Sequence, residues 1–319
     1  MSDTTASPDH SAPGQSPDHS LQRSLGVVGL TMFGLTYLVP LTIFTTYGIV
    51  AQLTGGRVAL AYIVTLVAMI FTAYSYTHMV RAYPVSGSAY TYTQRTFGGH
   101  VGFLAGWALL LDYLFLPMIN YLVIGIYLNA EFTHIPIWVW IVISLALVTV
   151  LNLVGITSIN RANNIIIAAQ VIFIAVFLVL SIRSLMGESV DLMAPFTGDG
   201  SATGMSVVFA GAAILCLSFL GFDAVSTLAE EARNPKVDIP RAILLVTVLG
   251  GVVFIVLAYL SQIVFPGTAF DNVDAAAVEI ATKIGGNTMA NLFLAAYVAG
   301  AFGSALTSQA SVSRILFAM

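Results

Sequence analysis

The stretch Leu217–Pro235, LSFLGFDAVSTLAEEARNP, decides how the rest of the chain is read. It follows Gly204–Cys216, GMSVVFAGAAILC, an apolar run suited to the first half of a membrane-spanning helix. Gly221 and Asp223 then arrive where a bilayer is driest. Glycine weakens a helix, and a charged carboxylate is costly in hydrocarbon. Two readings meet this pairing: a plain kink, or backbone that leaves the helix to line a polar cavity.

Composition supports a membrane setting. The 319 residues are 58% hydrophobic and only 8% charged, too few polar groups to cover a water-soluble surface. The net charge of −4, without basic clusters, argues against nucleic acid as a partner. The single Cys216 excludes an intramolecular disulfide framework and a cysteine-rich metal site. No cofactor motif is present, and HExxH, GxSxG and GxxxxGK[ST] patterns are missing, so an enzyme is not expected. Residues 1–24 are rich in Ser, Pro and Asp and repeat SPDHS, which reads as a disordered cytoplasmic tail ahead of a transporter domain over 25–319.

Apolar runs of spanning length predict eight helices, over 26–53, 58–80, 101–130, 137–156, 158–185, 204–232, 239–264 and 286–317. The fold class is therefore an all-α polytopic membrane protein. A short helix is expected at 274–284. With the N-terminus inside, Arg23, Arg81, Arg95, Arg161, Arg233, Lys236, Arg241 and Arg314 are cytoplasmic, against Arg57, Arg183 and Lys283 outside. Eight of the eleven basic residues inside is a positive-inside pattern, which orients the chain N-in and C-in.

The first span, GVVGLTMFGLTYLVPLTIFTTYGIVAQL, carries Pro40 near its middle, and the sixth is interrupted at Ser218–Gly221. Interrupted helices five spans apart point to a transporter with inverted repeats and a mid-membrane site. In the third span Tyr113 and Asn120 lie seven residues apart, hence on one face with Gly106. They suit either a substrate surface or helix-to-helix hydrogen bonds. Asp112 and Asp223 are the acids well inside spans and are candidates to hold a cation. Asn163 and Gln170 share a face of the fifth span and read as structural glue. Ser304, Thr307 and Ser308 in the eighth either permit close packing or present oxygens to a coupling cation.

These motifs together resemble the amino acid–polyamine–organocation superfamily of permeases. The resemblance rests on FLGFDAVSTLAEEARNP with DIPRAI, YPVSGSAYTYTQRTFG, GWALLLDYLFLP and SVSRILFAM, and it covers residues 25–319. LDYLFLPMINYL, CLSFLGFDAVSTLAEE and QASVSRILFAM are most similar to bacterial putrescine importers. The resemblance implies a twelve-helix, five-plus-five inverted-repeat secondary transporter, of which this chain holds the first eight helices. Helices nine to twelve would lie beyond Met319, so the reading expects a C-terminally truncated or partial product. It also implies alternating access around a site built by helices one, three, six and eight.

Carried onto this sequence, the resemblance implies a first-helix break over Pro40–Phe44, the third-helix tyrosine at Tyr113, and the sixth-helix acid at Asp223 with Phe219, Leu220 and Phe222 around it as gate and site wall. Thr42, Thr45, Asp112, Asn120 and Gly221 complete the candidate substrate residues. The chain departs from the family at three points. PLTIF stands where many members have a glycine-rich GxGIF, Thr45 stands where putrescine importers carry an acid, and Gln170 stands where some proton-coupled relatives have lysine. The implied function is import of putrescine or a related polyamine across the cell membrane with protons. The alternatives are a proton- or sodium-coupled amino acid permease and a non-transporting membrane sensor.

Overall fold

The computed structural model describes residues 24–132, 134–154, 156–186, 190–271, 273 and 276–318. The expected tail, with His10, His19 and Arg23, lies outside the described residues except for Ser24. The described chain is nearly all helical: α1 Val27–Leu38, α2 Ile43–Thr54, α3 Val58–Ala82, α4 Ser88–Phe97, α5 Gly99–Glu131, α6 Ile137–Val154, α7 Ile156–Leu185, the single turn α8 Ala194–Thr197, α9 Ser206–Leu215, α10 Pro235–Val264 and α11 Ala276–Ala318. Helices satisfy their own backbone, which hydrocarbon cannot do for them. Eight segments of these are long and apolar enough to cross a membrane, matching the number and order expected. Within α11, Gly285 and Gly286 leave helical geometry, so the expected short helix before the last span is present as 276–284.

Both expected breaks are observed. The first span is α1 and α2 joined through Val39, whose φ of 53° ends α1, and a 3-10 turn Pro40–Thr42. The sixth span is helical only to Leu215 and does not resume as an α-helix. A 3-10 turn Cys216–Phe219, an extended Leu220, Gly221 at φ +99° and a second 3-10 turn Ala224–Leu228 complete it. Its amides bond three residues back, Leu220 to Leu217, Phe222 to Phe219, Ala224 to Gly221 and Ser226 to Asp223, so the tightened chain still pairs its N–H groups.

Spans one and six run antiparallel and are tied at both ends. At one end Leu25 N–H donates to the Glu231 carbonyl (3.0 Å) and Arg233 N–H to the Leu25 carbonyl (2.8 Å), forming an isolated bridge. Glu231 is buried in this joint. At the other end Arg57, buried, donates to the carbonyls of Thr54 (2.9 Å), Gly204 (3.2 Å) and Ala202 (2.8 Å). Asp199 N–H donates to Gly55 O beside it (3.0 Å), and hydrogen bonds from Ser201 hold the Asp199 carboxyl below its ordinary range.

Arg57→Ala leaves three carbonyls short of a charged donor. Its expected effect is a loss of about 2 kcal/mol or more, read as a drop of several degrees in melting temperature in detergent. Arg57→Lys restores only part, because an ammonium lacks the planar fork. An unchanged melting temperature for Arg57→Ala would show that the clamp does not hold the two spans.

Candidate functional site

Where the two breaks meet, a cavity of about 120 Å³ opens between spans one, three, six and eight. Its wall comes from Tyr37 to Val39 with Thr42 and Thr45, from Leu116, Ile119, Asn120 and Val123 on α5, from Leu217 and Leu220, and from Tyr297, Ala301 and Ser304 on α11. The break in span one frees carbonyl groups, and polar side chains take them up. Thr42 donates to Leu38 O (2.9 Å) and Ser304 donates to Tyr37 O (3.0 Å). Ser304 also accepts from Asn120 Nδ2 at 3.0 Å, which ties spans one, three and eight through one hydroxyl. Thr45 and Tyr297 share a hydrogen bond at 2.7 Å on the same wall.

Of the site residues expected from the sequence, Thr42, Thr45, Asn120, Leu220 and Ser304 line this cavity. Asp223 does not. It is buried and accepts a 2.6 Å hydrogen bond from Tyr113, itself fully buried. Tyr37 packs on Tyr113 with ring centroids 5.9 Å apart, and Tyr37 is the one of the pair that faces the cavity. The acid therefore sits behind two tyrosines instead of on the open wall expected for it. Asp112 is half-buried and lies within electrostatic reach of Asp223 and Tyr37. Phe222, next to Asp223 in the chain, meets Tyr76 edge-on at 5.4 Å, and Tyr76 meets Tyr92 at 6.0 Å.

The remaining expected residues point elsewhere. Phe44 inserts between Phe177 and Phe293 at 5.6 and 5.4 Å, an aromatic core joining α2, α7 and α11. Phe219 packs edge-on against Phe254 of α10, and Pro40 is buried without lining the cavity. Thr307 and Ser308 spend their hydroxyl protons on α11 itself, Thr307 on Gly303 O (2.9 Å) and Ser308 on Ser304 O (2.6 Å), leaving their lone pairs as acceptors. Asn163 and Gln170, expected to be glue, are buried with their amide atoms unpaired among the described residues. Tyr37 and Tyr297 were not singled out by the sequence. Their only signal was helical spacing from Pro40 and from the small residues of span eight.

A family model described as amino acid permease matches residues 29–319. The chain belongs to the amino acid permease family. This permease is 40% identical over 305 residues to the low-affinity putrescine importer PlaP of Escherichia coli (strain K12), covering 94% of this chain and 67% of that protein. It is 28% identical over 327 residues to the branched-chain amino acid permease BcaP of Bacillus subtilis (strain 168), covering 95% and 68% respectively. Among solved structures it is similar to Mhp1, a nucleobase-cation-symport-1 family transporter held closed with bromovinylhydantoin bound. That match has a TM-score of 0.69 at 15% identity and covers 95% of this chain and 69% of that one. The permease is thus a multi-pass membrane transporter with a known transporter fold, and it is not an enzyme.

Proposed function

We propose that this permease imports putrescine or a related polyamine by alternating access, with protons as the coupling ion. The observation that carries the reading is Asp223: a buried carboxylate, bonded by Tyr113, set directly behind a cavity formed by two broken spans. Opposite charges attract strongly where water is scarce, so a carboxylate in this position favours a cationic amine. The similarity to a putrescine importer supports the same substrate class. The missing glycine-rich turn at PLTIF fits a substrate that has no carboxylate to capture. The positive-inside pattern supports a cytoplasmic N-terminus for a protein of the cell membrane.

A second reading, an amino acid permease, is favoured by the similarity to BcaP. Ser304, Thr307 and Ser308 are the candidate oxygens if the coupling ion is sodium. Uptake of labelled putrescine by proteoliposomes holding the full-length gene product is the test. Accumulation above empty vesicles, competed by diamines and lost when the pH gradient is collapsed, is expected. Competition by free amino acids alone would select the second reading, and dependence on a sodium gradient would reassign the ion.

A further inference from the structure

Five polar side chains of the cavity wall, Thr42, Thr45, Asn120, Tyr297 and Ser304, already hydrogen-bond within the protein. The sixth is Tyr37. Its hydroxyl is buried and has no partner among the described residues. Unpaired buried hydroxyls are exceptions in folded proteins, and each calls for a cause.

Among the described residues, Tyr37 is held on several sides. Its carbonyl is held by Ser304. One side of the ring lies against the bare backbone of Gly221, where any Cβ would overlap it, and Tyr113 packs close by. Tyr37 thus lines the cavity and packs on Tyr113, the residue that bonds Asp223. A phenol oxygen there has lone pairs to offer an N–H donor, while the carboxylate behind it balances positive charge. The Tyr37 ring adds cation–π attraction, which does not depend on N–H groups.

We propose that the Tyr37 hydroxyl is a specificity-determining acceptor that takes an N–H of the substrate's ammonium group, so that the site selects protonated amines over their fully N-methylated analogues. The inference rests on the reading of the cavity as a site for cationic amines and names the atom that makes the choice. Charge and cation–π attraction alone would hold both kinds of cation. Only an acceptor aimed at an N–H separates them.

Equilibrium binding to the purified full-length gene product tests it, with putrescine and its bis(trimethylammonium) analogue on the same four-carbon spacer. Tyr37→Phe keeps the ring that packs on Gly221 and Tyr113. It is expected to weaken putrescine about tenfold while leaving the analogue within about twofold. An unchanged ratio between the two ligands in Tyr37→Phe overturns the proposal and leaves the polyamine reading intact.

Should Tyr37→Phe not fold, the unaltered protein decides through stepwise N-methylation. Affinity should hold while one N–H remains and fall at the last methyl; a smooth decline with size would count against Tyr37. If the unaltered protein binds leucine and not putrescine, the polyamine reading fails. Leucine and its trimethylated betaine then test Tyr37 in the same way. Binding of neither class overturns both together.

Discussion

Asp223→Asn is expected to lower the initial rate of putrescine uptake by at least ~100-fold, at expression levels matching the unaltered protein. The asparagine keeps the shape of the side chain and a carbonyl oxygen for the Tyr113 hydroxyl, so the 2.6 Å contact has a replacement acceptor. What disappears is one negative charge in a place from which water is largely excluded, since Asp223 is only 8% exposed. Removing one member of a buried charge pair costs about 3–5 kcal/mol, and each ~1.4 kcal/mol is tenfold in an equilibrium constant. The same substitution made at an exposed site would be screened and small. Uptake reduced by less than about threefold would show that this carboxylate does not hold the substrate's charge. The cation would then be recognised on the cavity wall itself.

Gly221→Ala is expected to abolish transport and to reduce the yield of folded protein on size-exclusion chromatography. Two separate effects act at this position. The backbone has φ +99°, a conformation that L residues rarely adopt and that costs about 1–3 kcal/mol in strain. The added methyl also falls inside the space occupied by the Tyr37 ring. Overpacking of this kind adds about 1–3 kcal/mol. The two effects separate in a double substitution: Tyr37→Ala removes the overlap but not the backbone strain. Gly221→Ala with Tyr37→Ala should therefore recover part of the folded yield and little of the transport. Full transport by Gly221→Ala alone would mean that the break at span six is a passive kink.

Much of the architecture was legible from residue order. The spans followed from runs of apolar residues of spanning length, and Pro40 and Gly221 located the breaks to within a residue or two of Val39 and Leu220. Those signals are local. Proline lacks an amide hydrogen, and glycine admits a positive φ wherever it stands. The seven-residue spacing of Tyr113 and Asn120 also put both toward the breaks, one bonded to Asp223 and the other to Ser304.

Side-chain direction at the breaks was not legible. Once the helix ends, the 3.6-residue period no longer says which way a residue points. Phe44 and Phe219 were therefore expected at the site, and they pack instead into aromatic clusters with α7, α11 and α10. Arg57 reads from sequence as one more external basic residue, yet it clamps the carbonyls of Ala202 and Gly204. Tyr37 and Tyr297 became part of the site only because Gly221 and Thr45 approach them across the fold.

The sequence by itself determined that the chain spans a membrane, which described segments are long and apolar enough to cross it, and where the first and sixth of these leave the helix. Apolar length and the backbone limits of proline and glycine are properties of consecutive residues. Only the tertiary structure decided that Asp223 stands behind Tyr37 and Tyr113 and that Tyr37 carries the unpaired hydroxyl of the cavity. Those facts depend on contacts between residues far apart in the sequence, and in a close-packed interior such contacts are set by the joint fit of several helices.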